Sequence, residues 1–162
     1  MLIRDASADD AAAICRIYNQ GIEDRQATLE IELRTPAERA SWLAGHGPRH
    51  PVVVAEVDGE VVAWASLEPF NARRAYDHVV QFSIYVARER RGRGLGTALL
   101  REVEARARAL GYHKLCLAAL NRNAVGKALY AKQGFREVGV YREQGILDGE
   151  WVDTVVMEKI LA

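Results

Sequence analysis

Three glycines at alternate positions, Gly92, Gly94 and Gly96, stand in the run Arg90-Arg91-Gly92-Arg93-Gly94-Leu95-Gly96-Thr97, and the chemistry that run fits is the holding of an anion. Glycine lets a backbone approach a ligand closely because no Cβ intervenes. The run follows an alternating apolar stretch, Val79 to Val86, and opens a helical pattern of Leu95, Leu99, Val103, Arg106 and Leu110. A strand that turns through such a loop into a helix presents unpaired amides and the positive end of the helix dipole. Arg90, Arg91 and Arg93 add local positive charge. The same residues would also make a tight turn with a solvated basic patch. Two other phosphate loops are excluded by spacing. No Gly-x4-Gly-Lys-Ser/Thr occurs, and the dinucleotide fingerprint requires Gly-x-Gly-x-x-Gly early in the chain with an acid ending the next strand, where this chain has Leu115-Cys116-Leu117-Ala118.

Composition leaves that loop as a local device. Lys plus Arg number 22 and Asp plus Glu 22, a net charge of zero, so no bulk field draws in nucleic acid or an anionic membrane surface. With 162 residues the expectation is one domain over residues 1–162, without a separate cofactor lobe. Hydrophobic residues at 49% and charged residues at 27% exclude disorder and a disulfide scaffold. Cys15 and Cys116 lie far apart in apolar surroundings and at no metal-ligand spacing, so they read as buried free thiols and no metal is expected. The opening Met-Leu-Ile-Arg-Asp has no apolar signal core, and no apolar run nears the ~20 residues that cross a bilayer. The expected location is the cytoplasm.

The elements that must position the loop can be read in turn. Ser7-Ala8-Asp9-Asp10 has the spacing of a capping box and starts a helix near Asp9, with Ala13, Ile14, Ile17 and Tyr18 at helical intervals. Thr35-Pro36-Ala37-Glu38 starts a second helix that runs to about Ala44. Gly21 to Arg34, between them, is a polar loop. Pro51 to Val57 and Glu60 to Leu67 form a hairpin about Asp58-Gly59, a dipeptide suited to a type I′ turn. After a loop from Pro69 to Ala75 come the strand Val79 to Val86, the glycine run and a helix from Leu95 to Leu110, stopped at Gly111. Lys114 to Ala119 is a short buried strand, Asn123 to Lys132 a short helix ended by Gly134, and Phe135 to Arg142 with Trp151 to Ile160 a final hairpin. The helix between strands 79–86 and 114–119 implies a right-handed crossover that makes them parallel within a mixed α/β sheet.

Arg91-x-x-Gly94-x-Gly96 is similar to the Arg/Gln-x-x-Gly-x-Gly/Ala motif of the GCN5-related N-acetyltransferases, and the element order β-α-α-β-β-β-α-β-α-β-β resembles that fold from end to end. Ala72-Arg73-Arg74-Ala75-Tyr76-Asp77, Ser83-Ile84-Tyr85-Val86 and Gly149-Glu150-Trp151-Val152-Asp153 resemble the phosphinothricin and methionine sulfoximine acetyltransferase branch. So do Tyr18-Asn19-Gln20-Gly21-Ile22 and Ala27-Thr28-Leu29-Glu30. The resemblance implies acetyl-CoA as donor and a homodimer. It places the pyrophosphate on Arg91, Gly92, Arg93, Gly94, Leu95, Gly96 and Thr97, and the pantetheine along the edge of Ile84, Tyr85 and Val86, like an added strand. Asn123 matches a position that contacts the CoA arm, and its place also suits a helix cap. Tyr130, by itself a core aromatic on a helical stripe, matches the tyrosine that protonates the departing thiolate.

Acetyl transfer to an amine needs a neutral nitrogen, a stabilised oxyanion and a proton for sulfur. Backbone amides near Ile84 and Tyr85 suit the second task and Tyr130 the third. For the first, the branch carries a glutamate where this chain has Gln81, which accepts no proton at neutral pH but can orient a water or the amine. Glu30, Glu32, His78 and Asp153 are the other candidates, each better suited a priori to a solvated or salt-bridged surface role, and loss of the amine's proton to solvent before binding is a further alternative. Arg73 and Arg74, in the loop before the fourth strand, offer guanidinium forks for an anionic acceptor, and Glu30, Trp151 and Tyr76 are further acceptor-site candidates. The expected function is acetylation of the α-amine of a small phosphinothricin-like amino acid. The alternatives are a protein N-terminal or amine-drug acetyltransferase, and a non-catalytic CoA-binding module, the last favoured by Gln81.

Overall fold

The computed structural model describes residues 1–161. Its elements are β1 (Leu2–Asp5), α1 (Ala11–Glu23), α2 (Pro36–Ala44), β2 (Val52–Val57), β3 (Glu60–Pro69), β4 (Val79–Val86), α3 (Leu95–Ala109), β5 (Lys114–Leu120), α4 (Ala124–Lys132), β6 (Arg136–Leu147) and β7 (Glu150–Ile160). The order of elements is the expected one. All seven strands form one sheet in the order β1-β2-β3-β4-β5-β7-β6, antiparallel except for the β4–β5 pair.

Local chemistry explains most boundaries. Thr35 caps α2 through the Glu38 amide at 3.1 Å, with Pro36 in the first turn. Asp58 and Gly59 take φ of 52° and 76° and close the β2–β3 hairpin as expected. Three boundaries differ from the expectation by two residues or more, and the first is that β3 runs on to Pro69 instead of ending at Leu67. The box at Ser7 and Asp10 caps a 3₁₀ turn over Ala8–Asp10, and the α-helix begins one residue later, at Ala11. Asp10 is held there by the Arg4 fork at 2.8 and 3.0 Å. β6 runs on to Leu147 instead of ending at Arg142. The register shifts between Tyr141 and Gly145, and the Glu143 amide donates to the Asp153 carboxylate at 2.7 Å. This bulge absorbs the polar residues that break the alternation.

The sheet carries a core on each face. On one, Val80, Phe82, Leu115, Leu117, Val155 and Met157 meet the Leu95, Leu99, Leu100 and Val103 stripe of α3. On the other, Val52, Val54, Val61 and Trp64 meet Ile14 and Ile17 of α1. Each such side chain contributes about 1.5–3 kcal/mol when fully buried. The second face also buries Arg39. Its guanidinium lies 3.7 Å from the Trp42 ring centre and 4.3 Å from that of Tyr18, and its Nε and Nη2 have no hydrogen-bond partner among the described residues. Aromatic faces offset the cost of burying that cation, and the stack ties α2 to α1. Cys15 and Cys116 are buried and free, as expected.

Candidate active site

β4 and β5 are paired over only three positions, Val79↔Lys114, Val80↔Leu115 and Gln81↔Cys116. Beyond these β4 stays with β3, while β5 stays with β7 as far as Leu120↔Thr154. The sheet therefore splits, and each strand turns an unpaired edge toward the gap. A cleft of about 270 Å³ fills it. Strand alternation gives this cleft two mouths. Phe82, Ile84, Leu117 and Ala119 lie on the face covered by α3 and α4, and there Asn123 and Tyr130 line the opening. Ser83, Tyr85, Ala118 and Leu120 lie on the opposite face, where Ala27, Thr28 and Leu29 of the α1–α2 loop roof it. Gly145 admits that roof, because a Cβ there would stand 2.6 Å from Leu29 Cδ2.

The glycine run lies at the end of β4, as expected, and Gly94 is the N-cap of α3 with φ of 83°. No side chain caps this helix, so its first amides remain available to a ligand. Gly92 has φ of 78°, and no atom lies within 4 Å of the Cβ that either Gly92 or Gly94 would carry. These features fit a pyrophosphate. The arginines divide their work. Arg91 Nη1 is 2.6 Å from Asp24, which also receives the Arg88 fork, and Arg91 Nε donates to the Val86 carbonyl at 3.3 Å. Arg91 thus fastens the loop to the end of α1 rather than pointing a bare charge at a ligand. Both arginines hold the Asp24 carboxyl below its ordinary value, the Arg88 hydrogen bond most of all. A depressed carboxyl stabilises the fold above the ordinary aspartate range and loses that contribution as pH falls through its folded value. Asp24→Asn is expected to weaken acetyl-CoA binding about two- to fivefold, in keeping with a partly exposed ion pair. Isothermal titration calorimetry measures this.

Tyr130 packs edge-on against Phe82 and Phe135, with ring centres 5.9 and 6.0 Å away. Its hydroxyl has no hydrogen-bond partner among the described residues, and burial pushes its pKa up to about 12. Its ring packs against the core, and the residue also lines the cleft. Asn123 likewise does two things, accepting from the Gly126 amide at 3.0 Å as the α4 cap while lining the cleft. The Tyr85 ring is stacked on Trp64 at 4.9 Å and held under Gly21, with its hydroxyl bonded to Thr28 of the cleft roof. Burial raises the Tyr85 phenol well above its ordinary value.

The acceptor-site candidates are more scattered. Gln81 donates from Nε2 to the Pro69 carbonyl at 3.0 Å and stands beside the closed end of the split, outside the lining. Glu30 is paired with Arg34 at 2.7 Å. Arg73 and Arg74 are exposed at the start of a 3₁₀ turn, with no ion-pair partner among the described residues. Trp151 is 64% exposed at the β6–β7 turn and stands outside the cleft lining. Tyr76 stacks on Phe70 at the surface. Of the other bases considered, Asp153 is taken by the Glu143 amide, and Glu32 and His78 are exposed. Sequence reasoning missed Ser83, Ala118 and Thr154, whose place in the lining depends on where the strands part. It also missed Glu68, which stands directly across from Gln81.

The comparisons agree with this geometry. The family model described as Acetyltransferase (GNAT) family matches residues 13–135. The chain is 33% identical to the L-methionine sulfoximine/L-methionine sulfone acetyltransferase of Pseudomonas aeruginosa, over 96% of this chain and 92% of that one. Among solved structures it is similar to a ribosomal-protein-alanine N-acetyltransferase from Brucella melitensis, with 37% identity, a TM-score of 0.95 and 99% of each chain covered. It is also similar to a phosphinothricin acetyltransferase from Sinorhizobium meliloti in complex with AcCoA, with 34% identity and a TM-score of 0.92, over 99% of this chain and 88% of that one. With its split sheet and uncapped glycine-initiated helix, this chain belongs to the GNAT acetyltransferase family.

Proposed function

We propose that this acetyltransferase moves the acetyl group of acetyl-CoA to the α-amine of a small amino acid with a second anionic or polar head, of the phosphinothricin or methionine sulfoximine type. The observation that carries this reading is the cleft that passes through the sheet, with Tyr130 and Asn123 at one mouth and Ser83 under the α1–α2 loop at the other. When bound, the co-substrate supplies an activated thioester. The amides of Gly92 to Thr97 hold its phosphates, and the unpaired edge of Ile84 to Val86 receives its arm as an added strand. Amides of the same edge donate to the acetyl oxygen as charge develops there. Tyr130 donates its proton to the departing sulfur. Arg73 and Arg74, with partnerless guanidinium groups, recruit the acceptor's anionic head, and Glu30, Trp151 and Gln81 complete its surroundings.

Residues 1–162 form one domain in this reading, supported by the single sheet that runs from β1 to β7. A second copy of the chain pairs with the first through the β6–β7 hairpin, which exposes Val138, Val140, Tyr141, Ile146 and Trp151. The cytoplasm is the proposed location, consistent with two unpaired cysteines. Among the described residues no helix is long and apolar enough to cross a membrane.

Acetylation of a ribosomal-protein N-terminus is the second reading, favoured by the 37% identity to the Brucella melitensis enzyme. Thiol release from acetyl-CoA with a panel of amines separates the two. Turnover with phosphinothricin and methionine sulfoximine is the expected result. Turnover confined to peptides would overturn the small-molecule reading, and no turnover by wild type with recovery in Gln81→Glu would point to a degenerate module.

A further inference from the structure

The acceptor's ammonium must lose a proton before its nitrogen can attack, and Gln81 has no basic atom to take it. Glu68 on β3 faces Gln81 in register. Facing Cβ atoms of such a pair lie about 4.5–5.5 Å apart, and both side chains are on the sheet face of Trp64 and Tyr85. Glu68 Oε1 accepts from Ser66 Oγ at 2.8 Å and is 3.0 Å from His46 Nε2. Its Oε2 has no partner among the described residues. The bond to Ser66 draws the carboxylate back along β3, and Ser66 faces Ser83 of the cleft lining. His46 Nδ1 lies 2.9 Å from the Trp42 carbonyl. A carbonyl only accepts, so Nδ1 carries a hydrogen and Nε2 is the nitrogen left to trade a proton with Glu68. His46 also lines an open pocket of about 430 Å³ with Ser7, Pro48 and His50. The imidazole is thus held between the Trp42 carbonyl and Glu68 at the edge of that pocket.

From this arrangement we propose that Glu68, coupled to His46, is the base that takes the proton of the acceptor amine, an inference that rests on the amino-acid acetyltransferase reading above. One N–H bond of the ammonium breaks, its electron pair stays on nitrogen, and the proton passes to Glu68 Oε2. Carboxylate and imidazole then share that proton, and Glu68, a quarter of whose side chain is exposed, returns it to water. Glu68 is the catalytic residue and His46 its positioning partner. The hydrogen bond that His46 donates to Glu68 raises the His46 pKa, against burial and the Arg39 charge. His50 faces the pair from the α2–β2 connection, Arg39 from α2, and the uncharged Gln81 from β4. The pair must be free of its shared proton to act. Its activity limb therefore rises with pH above the ordinary imidazole value of about 6.5.

Steady-state kinetics on wild type, Glu68→Gln and the double exchange Glu68→Gln/Gln81→Glu, paired with an NMR titration of His46, test this. Glu68→Gln is expected to lower kcat about 100-fold with the KM for acetyl-CoA unchanged, and to move the His46 titration downward. The double exchange returns a carboxylate one strand away on the same face and restores turnover and the pH limb. Wild-type kcat and pH profile in Glu68→Gln would overturn the proposal while leaving the acetyltransferase reading intact. So would a folded double exchange as slow as Glu68→Gln, or a His46 titration indifferent to Glu68. An absence of turnover by wild type with every amine would overturn both.

Discussion

Replacing Tyr130 by phenylalanine is expected to lower kcat about 100-fold while acetyl-CoA binds as before, the usual scale for loss of a positioned proton donor. The ring keeps its contacts with Phe82 and Phe135, so the core does not change. The hydroxyl has no protein partner to orphan, so the thermal midpoint stays where it is. At about 12, the Tyr130 pKa keeps the proton in place through the whole neutral range; the raised value means the donor form persists below it, and no loss of activity between pH 6 and 9 is assigned to this group. Burial has a second effect. In a site from which water is excluded, a hydrogen bond to a sulfur gaining negative charge is worth far more than in solvent. Stopped-flow measurement of thiol release with a separate measurement of acetyl-CoA affinity decides the matter: unchanged turnover would remove Tyr130 as the donor.

The second large effect is expected at the glycine run. Gly94 and Gly59 have nearly the same φ, 83° and 76°, and among the described residues neither has an atom within 4 Å of an added Cβ. Alanine at either position meets the same strain of about 1–2 kcal/mol from left-handed backbone. The outcomes differ because the two turns do different things. Gly59→Ala sits in the β2–β3 hairpin, far along the chain from the cleft, and its strain appears as lost stability. Gly94→Ala caps α3, where the loop escapes the strain by leaving the conformation that aims its amides at the phosphates. The same energy then appears as a Kd for acetyl-CoA raised roughly 5- to 30-fold. Calorimetric binding to both variants, with thermal melts beside it, checks this. Equal binding by the two would show that the conformation of Gly94 is immaterial to the cofactor.

The parts of the molecule legible in the sequence are those that local chemistry dictates. The Thr35 box, the Asp58-Gly59 turn and the glycine-initiated α3 each satisfy donors or φ values within a few residues of themselves, and each stands where its residues say. Tyr130 and Asn123 were legible as residue types in a motif, and the cleft receives both. The long β6 was not legible, because Glu143 and Gln144 interrupt the alternation and are tolerated only through a bulge bound to Asp153, ten residues away. Gly145 is understood only once Leu29 is seen above it.

The sequence by itself determined the order of elements and the anion loop, since both follow from periodicity, capping and spacing along one stretch of chain, while the family was legible through the resemblance of its motifs. Tertiary structure alone decided where the sheet opens, for alternation says which face a side chain takes but not where β4 leaves β5. It also decided that Arg91 spends its charge on Asp24. Above all, it set Glu68 opposite Gln81 and within reach of His46, a juxtaposition of residues from three separate segments that only strand register and the packing of α2 create.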